Sequence, residues 1–293
     1  MAPDQPRDEP AMSRRRFLRH SAWAGAAIAV AVTGGIVTTE VVSSGRKAKV
    51  GSDFMFVQIS DSHIGFKGEA NADVGATFSQ SIDRVNSLAE RPDFVVHTGD
   101  LTHFTTPAQF DQVKQMMTGL RTGQVFTIPG EHDSTDDGGQ KYLAAFGAGS
   151  RGNGWYSFDH KGVHFISLVN TVGLQQLGHL GNDQLAFVQS DVAHLHSDTP
   201  IVVFSHIPLF MMYQPWGWGT DDATQALSYL KRFASVTCLN GHVHQIMSKT
   251  EGNVTFHTAG PPRTRSPRPA MGRRPNPWCC PPVNSTPPSV SAT

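Results

Sequence analysis

The chain has 293 residues, with 24 basic and 24 acidic side chains, so its formal net charge is +0. That balance excludes the global positive field by which a protein binds nucleic acid or an anionic membrane as its primary partner. Three cysteines, Cys238, Cys279 and Cys280, have neither zinc-site spacing nor the pattern of a small disulfide scaffold.

The N-terminus reads as an address. Ser13-Arg14-Arg15-Arg16-Phe17-Leu18 precedes an uncharged, Ala- and Val-rich stretch from Ser21 to Thr39. A basic region before a modest apolar one marks a targeting segment, here similar to a twin-arginine export signal. Residues 1–50 are therefore assigned to signal and linker. Passage through the twin-arginine translocation machinery to a bacterial periplasmic or extracellular location is expected. The apolar stretch is short against the ~20 residues a bilayer span needs, so membrane attachment is expected only if the signal is retained.

Residues 51–259 alternate between strand and helix patterns. Asp53 to Ser60 reads as a strand by its apolar and β-branched content. Val74, Phe78, Ile82, Val85 and Leu88 are spaced as one face of a helix from Asp73 to Glu90. Phe94 to His97 is a second strand, and Thr106-Pro107 starts a helix reaching about Leu120. Val125 to Ile128 is a third strand. Trp155–Asp159 and Val163–Val169 flank His160-Lys161-Gly162 as a hairpin. A helix from Asn182 to about His196, a strand at Ile201–Phe204, a helix at Asp222–Phe233 and strands at Val236–Leu239 and Val254–Phe256 complete the series. Cys238 lies inside one of these apolar runs, as a buried thiol would. Alternating βα units with a hairpin predict an α/β fold with helices on both outer faces. From 260 to 293 the composition turns to Pro and Arg, without periodicity, and predicts a disordered tail.

Metal-binding side chains follow five of the strand-like runs: Asp61-Ser62-His63, Gly99-Asp100, Gly130-Glu131-His132-Asp133, His206 and Gly241-His242-Val243-His244. In open α/β sheets, ligands gather where loops converge at the carboxyl ends of strands. Oxygen and imidazole donors without sulfur suit Fe, Mn or Zn. Asp100 has two carboxylate oxygens and can bridge two cations. A pair of cations acidifies the water between them and clamps the attacking and leaving oxygens of a displacement at phosphorus. His132 is placed to donate a proton to a leaving alkoxide, with Asp133 or a backbone carbonyl to orient it.

This ordered series resembles that of the calcineurin-like metallophosphoesterases. Asp61-Ser62-His63 and Gly99-Asp100-Leu101 are most similar to the class III cyclic nucleotide phosphodiesterase branch. The resemblance implies a four-layer α/β/β/α sandwich and a hydrolase acting on a small-molecule phosphodiester or phosphomonoester through a metal-bridging hydroxide. It implies two divalent or trivalent metal ions. Asp61, His63, Asp100 and His244 would hold one; Asp100, Glu131, His206 and His242 the other. His132 would be the catalytic imidazole. Glu131 departs from the family, which usually has Asn there. A carboxylate should tighten cation binding, repel a phosphate dianion and suit a singly charged diester better. It also leaves open a metal-binding protein with little turnover.

The remaining histidines are expected in lesser roles. His97, His103, His164 and His257 read as structural or outer-sphere residues, with His103 just past Asp100 and within reach of substrate. His160, His179, His194 and His196 read as exposed. The segment from Met211 to Gly219, with Tyr213, Trp216 and Trp218, reads either as packing over the sheet rim or as a substrate wall.

Overall fold

The computed structural model describes residues 25–33, 36–44 and 53–262. The twin-arginine motif and the tail beyond 262 lie outside them. Among the described residues, eleven strands form two sheets: β1 (Gly25–Thr33), β2 (Ile36–Ser44), β3 (Phe54–Ile59), β4 (Phe94–His97) and β5 (Gln124–Thr127) in one, and β6 (Tyr156–His160), β7 (Val163–Ser167), β8 (Ile201–Phe204), β9 (Val236–Asn240), β10 (Met247–Glu251) and β11 (Val254–Thr258) in the other. The second sheet runs in the order β10-β11-β9-β8-β7-β6. Strands β3, β4 and β5 are mutually parallel, as are β7, β8, β9 and β11. Hence β3, β4 and β5 end on one side of their sheet, and β8 and β9 on one side of theirs.

Side-chain alternation explains the four layers. Along a strand successive residues face opposite sides. Phe54, Phe56, Phe94 and Val96 of one sheet meet Val163, Phe165, Val202, Phe204 and Leu239 of the other in a buried inter-sheet layer. The alternate residues Val57, Ile59 and Val95 pack outward under α1 (Val74–Asn86), α2 (Pro107–Met117) and α3 (Gln140–Phe146). Ile201, Val203, Val236 and Cys238 pack outward under α4 (Asn182–Val192) and α5 (Ala223–Leu230). The architecture is the expected α/β/β/α sandwich.

Local chemistry sets the helix starts. The Asp73 side chain accepts from the Ala76 amide at 2.8 Å, and Thr106 caps the Gln109 amide before Pro107. The helices stop short of the sequence expectation, α1 at Asn86 and α4 at Val192. Beyond residue 50, helix α3 and the edge strand β10 were not expected. Strands β1 and β2 fall inside the segment read as an export address, where β2 pairs antiparallel with β3. No helix among the described residues is long and apolar enough to cross a membrane.

Candidate metal centre

All five motif segments leave their strands at one rim. Asp61 and His63 follow β3, Asp100 follows β4, a 3-10 turn at Glu131–Asp133 follows β5, His206 follows β8, and His242 and His244 follow β9. Hydrogen bonds lock these loops together. The Asp61 amide donates to the Gly99 carbonyl at 3.0 Å, His63 to Asp100 at 2.9 Å and Gly241 to His206 at 3.1 Å. His206 Nδ1 donates to the Thr98 carbonyl at 2.7 Å, joining the two sheets.

The rim is conformationally strained. Of seven non-glycine residues with positive φ among those described, five are candidate ligands: Asp61, His63, Asp100, His242 and His244. Each such conformation costs on the order of 1–3 kcal/mol and persists only where surrounding structure imposes it. Glycine makes the crowding possible. A Cβ on Gly99 would lie 2.3 Å from His206 Nδ1, and one on Gly130 would lie 2.1 Å from Asp100 Oδ1.

The ligands fall into two adjoining groups. Asp61, His63, Asp100 and His244, all buried, bring one donor atom each within 4.8 Å of one another. His63 Nε2 is 3.1 Å from His244 Nε2 and 3.5 Å from Asp100 Oδ2, and His244 Nε2 is 3.3 Å from Asp61 Oδ1. Glu131, His206 and His242 form the second group, with Glu131 Oε2 2.8 Å from His206 Nε2 and Oε1 2.7 Å from His242 Nδ1. Asp100 Oδ2 stands between the groups, 3.4 Å from His206 Nε2.

These residues fit a cation. Asp61 Oδ2 and His242 Nε2 are buried without hydrogen-bond partners. Leaving each such atom unsatisfied costs about 1–3 kcal/mol, and a positive ion among them removes that cost. His206 donates from Nδ1, so Nε2 is the nitrogen turned to the cluster, where a cation would take the place of its proton. Burial lowers the His206 imidazole, but Asp100 and Glu131 outweigh it and hold it well above its ordinary value. Burial raises Glu131, and His242 and His206 outweigh it in turn and hold that carboxyl well below the usual range. The field at this point therefore favours positive charge. Burial pushes His63 down to about 3.

The two residues read from sequence as acting on the leaving group have separate fates. His132 lies at the rim; its amide donates to Asp100 Oδ1 at 3.0 Å and its Nδ1 to the His103 carbonyl at 3.0 Å. The orienting group is thus the carbonyl. Asp133 is a correction: it is fully buried and points away, accepting from Leu101 and Thr102 amides, the Thr102 hydroxyl and the Gly130 amide at 2.8–3.0 Å. Burial and the Asp100 charge push its carboxyl up to about 6. Its work is to staple the β4 loop to the β5 loop.

Sequence reasoning missed Asn170, which follows β7. Its side chain donates to the Ile207 carbonyl at 2.8 Å and accepts from the Ile207 amide at 3.2 Å, fixing the loop beside His206. An amide side chain just past a strand end was the available signal. His160 is half-buried rather than exposed, bonded to Asp93 at 3.0 Å. The Met211–Gly219 segment folds on itself: Tyr213 bridges to Trp218, and Trp216 sets its ring edge-on to both. Met211, Tyr213 and Trp216 are exposed.

The calcineurin-like phosphoesterase family pattern matches residues 54–246, from the start of β3 to just past His244. The chain belongs to this family. It is, by that membership, a metal-dependent phosphoric ester hydrolase. A probable glycerophosphodiester phosphodiesterase of Arcobacter nitrofigilis is 22% identical over 70% of this chain and 77% of its own length. A probable cyclic nucleotide phosphodiesterase of Rhodopseudomonas palustris is 26% identical over 69% and 76%. A dimetal phosphatase from Danio rerio shares the fold, with a TM-score of 0.57 at 16% identity, covering 71% of this chain and 87% of that one.

Proposed function

We propose that this chain is an exported phosphodiesterase working with two metal ions. Asp61, His63, Asp100 and His244 would hold one ion, and Asp100, Glu131, His206 and His242 the other. The observation carrying this reading is the place of Asp100, whose Oδ2 lies 3.5 Å from His63 Nε2 and 3.4 Å from His206 Nε2. The donor set suits Fe, Mn or Zn. Two such ions, when bound, supply an acidified water and neutralise charge on the phosphoryl oxygens.

The remaining work belongs to the side chains. The His103 carbonyl can only accept, so it keeps the proton of His132 on Nδ1 and leaves Nε2 to exchange a proton with the departing alkoxide. Glu131 puts a carboxylate where an amide would offer a donor, which disfavours dianionic monoesters against monoanionic diesters. The names of the two phosphodiesterase relatives support a diester substrate, a cyclic nucleotide among the candidates. The twin-arginine-like motif supports export of a folded catalytic unit, residues 51–259, to the periplasm or beyond. Replacing Arg14 and Arg15 by Lys should then strand the protein in the cytoplasm, read by cell fractionation.

The enzymatic reading is tested with bis(p-nitrophenyl) phosphate and p-nitrophenyl phosphate. The manganese-loaded protein should hydrolyse the diester faster, and chelation should abolish both activities. Activity surviving exhaustive chelation would overturn the proposal. A metal-loaded but inert protein would favour the alternative, a metal-binding member with little turnover, for which the Glu131 clamp on His206 and His242 gives a physical basis.

A further inference from the structure

We infer that His103 is a positioning residue that couples the metal ligand His63 to the proton donor His132. The inference rests on the two-metal reading above and assigns a role to a residue outside both ligand groups.

Three contacts meet at this one residue. His63 turns Nε2 toward His244 and Asp100, so its other ring nitrogen, Nδ1, faces outward. That nitrogen lies 3.4 Å from His103 Nδ1. A metal-ligating imidazole commonly gives its second N–H to an outer acceptor, which fixes its tautomer and ring plane. His103 Nδ1 is the acceptor so placed. The His103 carbonyl accepts the Nδ1 proton of His132 at 3.0 Å. Finally, the His103 ring lies on the His132 ring with centroids 4.5 Å apart and planes 17° from parallel.

His103 is itself held firmly. Phe66 and Phe104 meet its ring edge-on at 5.0 Å and 4.5 Å. Its amide donates to the Ile64 carbonyl at 3.0 Å, strapping the β4 loop to the β3 loop. Thr105 Oγ1 donates to the His132 carbonyl at 2.7 Å, so the same short segment grips the proton donor a second time. A ring that only filled space would need none of this alignment. Its removal would affect His63 and His132 alike, or neither.

Two variants separate the contacts, because both keep the backbone carbonyl. His103→Phe keeps a ring for stacking but loses the acceptor for His63. His103→Asn keeps an acceptor oxygen near the Nδ1 position but loses the stack on His132. Manganese affinity is measured by competition with a chelator of known affinity, and kcat and KM with a diester at saturating metal. His103→Phe should bind manganese about tenfold or more weakly, with kcat recovering as metal is added. His103→Asn should bind manganese as the wild type does, yet show a several-fold lower kcat at unchanged KM. Wild-type affinity in His103→Phe, or matching losses in both variants, would overturn the inference. Should the wild type hydrolyse no phosphoester, the function proposal fails alone, because the manganese competition still reports on His103.

Discussion

The inter-sheet layer and the metal-binding rim are built from the same strands by opposite means. Between the sheets, Phe56 stacks on Phe94 at 4.9 Å and Phe158 on Phe165 at 4.8 Å, in a close-packed apolar seam. A few residues further along, the chain turns through strained left-handed conformations and presses buried carboxylates against imidazoles. The seam stabilises the fold and can take no part in chemistry. The rim is costly to fold and offers unsatisfied donors to a cation. Stability and function are thus divided along the length of each strand, and the seam offsets what the rim costs.

Substitutions sharpen that division. Phe165→Ala in the seam should have the largest effect, lowering unfolding free energy by about 3–5 kcal/mol in a urea titration. Turnover per folded molecule should stay unchanged, because the Phe165 ring packs on Phe54, Phe56, Phe94, Phe158 and Phe204 within the seam. A loss of specific activity with stability intact would erase the division.

Glu131→Asn in the rim should act in the opposite sense. Removing the carboxylate should weaken manganese binding while raising kcat/KM for a monoester roughly tenfold relative to a diester, about 1.4 kcal/mol of transition-state discrimination. An unchanged substrate ratio would show that the Glu131 charge does not set preference.

A smaller, pH-dependent effect is expected from His164, at the far end of the second sheet. Its ring nitrogens bond Asp159 at 2.8 Å and Asp191 at 2.9 Å. Burial lowers this imidazole, but Asp191 and Asp159 outweigh it and raise it above 6.5. A raised histidine stabilises the fold fully below its unfolded value, and the contribution fades as pH climbs through the folded value. The urea midpoint should therefore fall as pH rises above 6.5, and His164→Gln should flatten that slope. Asp191 is held below its ordinary 3.8, since His164 and Ser157 outweigh burial, so its contribution is lost only in acid. Identical slopes in wild type and variant would exclude His164 as the cause.

Much of this was legible in the sequence because both faces of the central strands are buried. Phe94 to His97 and Ile201 to Phe204 read as strands and end where expected. The order of Asp61, His63, Asp100, Glu131, His206, His242 and His244 could be read too, each just past an apolar run. Periodicity failed where burial does not govern. Strand β10, Met-Ser-Lys-Thr-Glu, is exposed throughout and carries no apolar signal. Helix α3 is seven residues long and starts from an Asp137 turn that caps its first amides. Asp133 misled because proximity in sequence to His132 does not fix direction: the 3-10 turn points the carboxylate into the protein. The importance of His103 depends on ring geometry between loops, which no linear spacing encodes.

The central claim is that Asp100 is shared by two ions in one cavity, and electron paramagnetic resonance of the manganese-loaded protein tests it most directly. The account predicts the spectrum of an exchange-coupled manganese pair, two ions per chain, converted to uncoupled manganese by Asp100→Asn. A single isolated ion, or coupling that survives in Asp100→Asn, would contradict it.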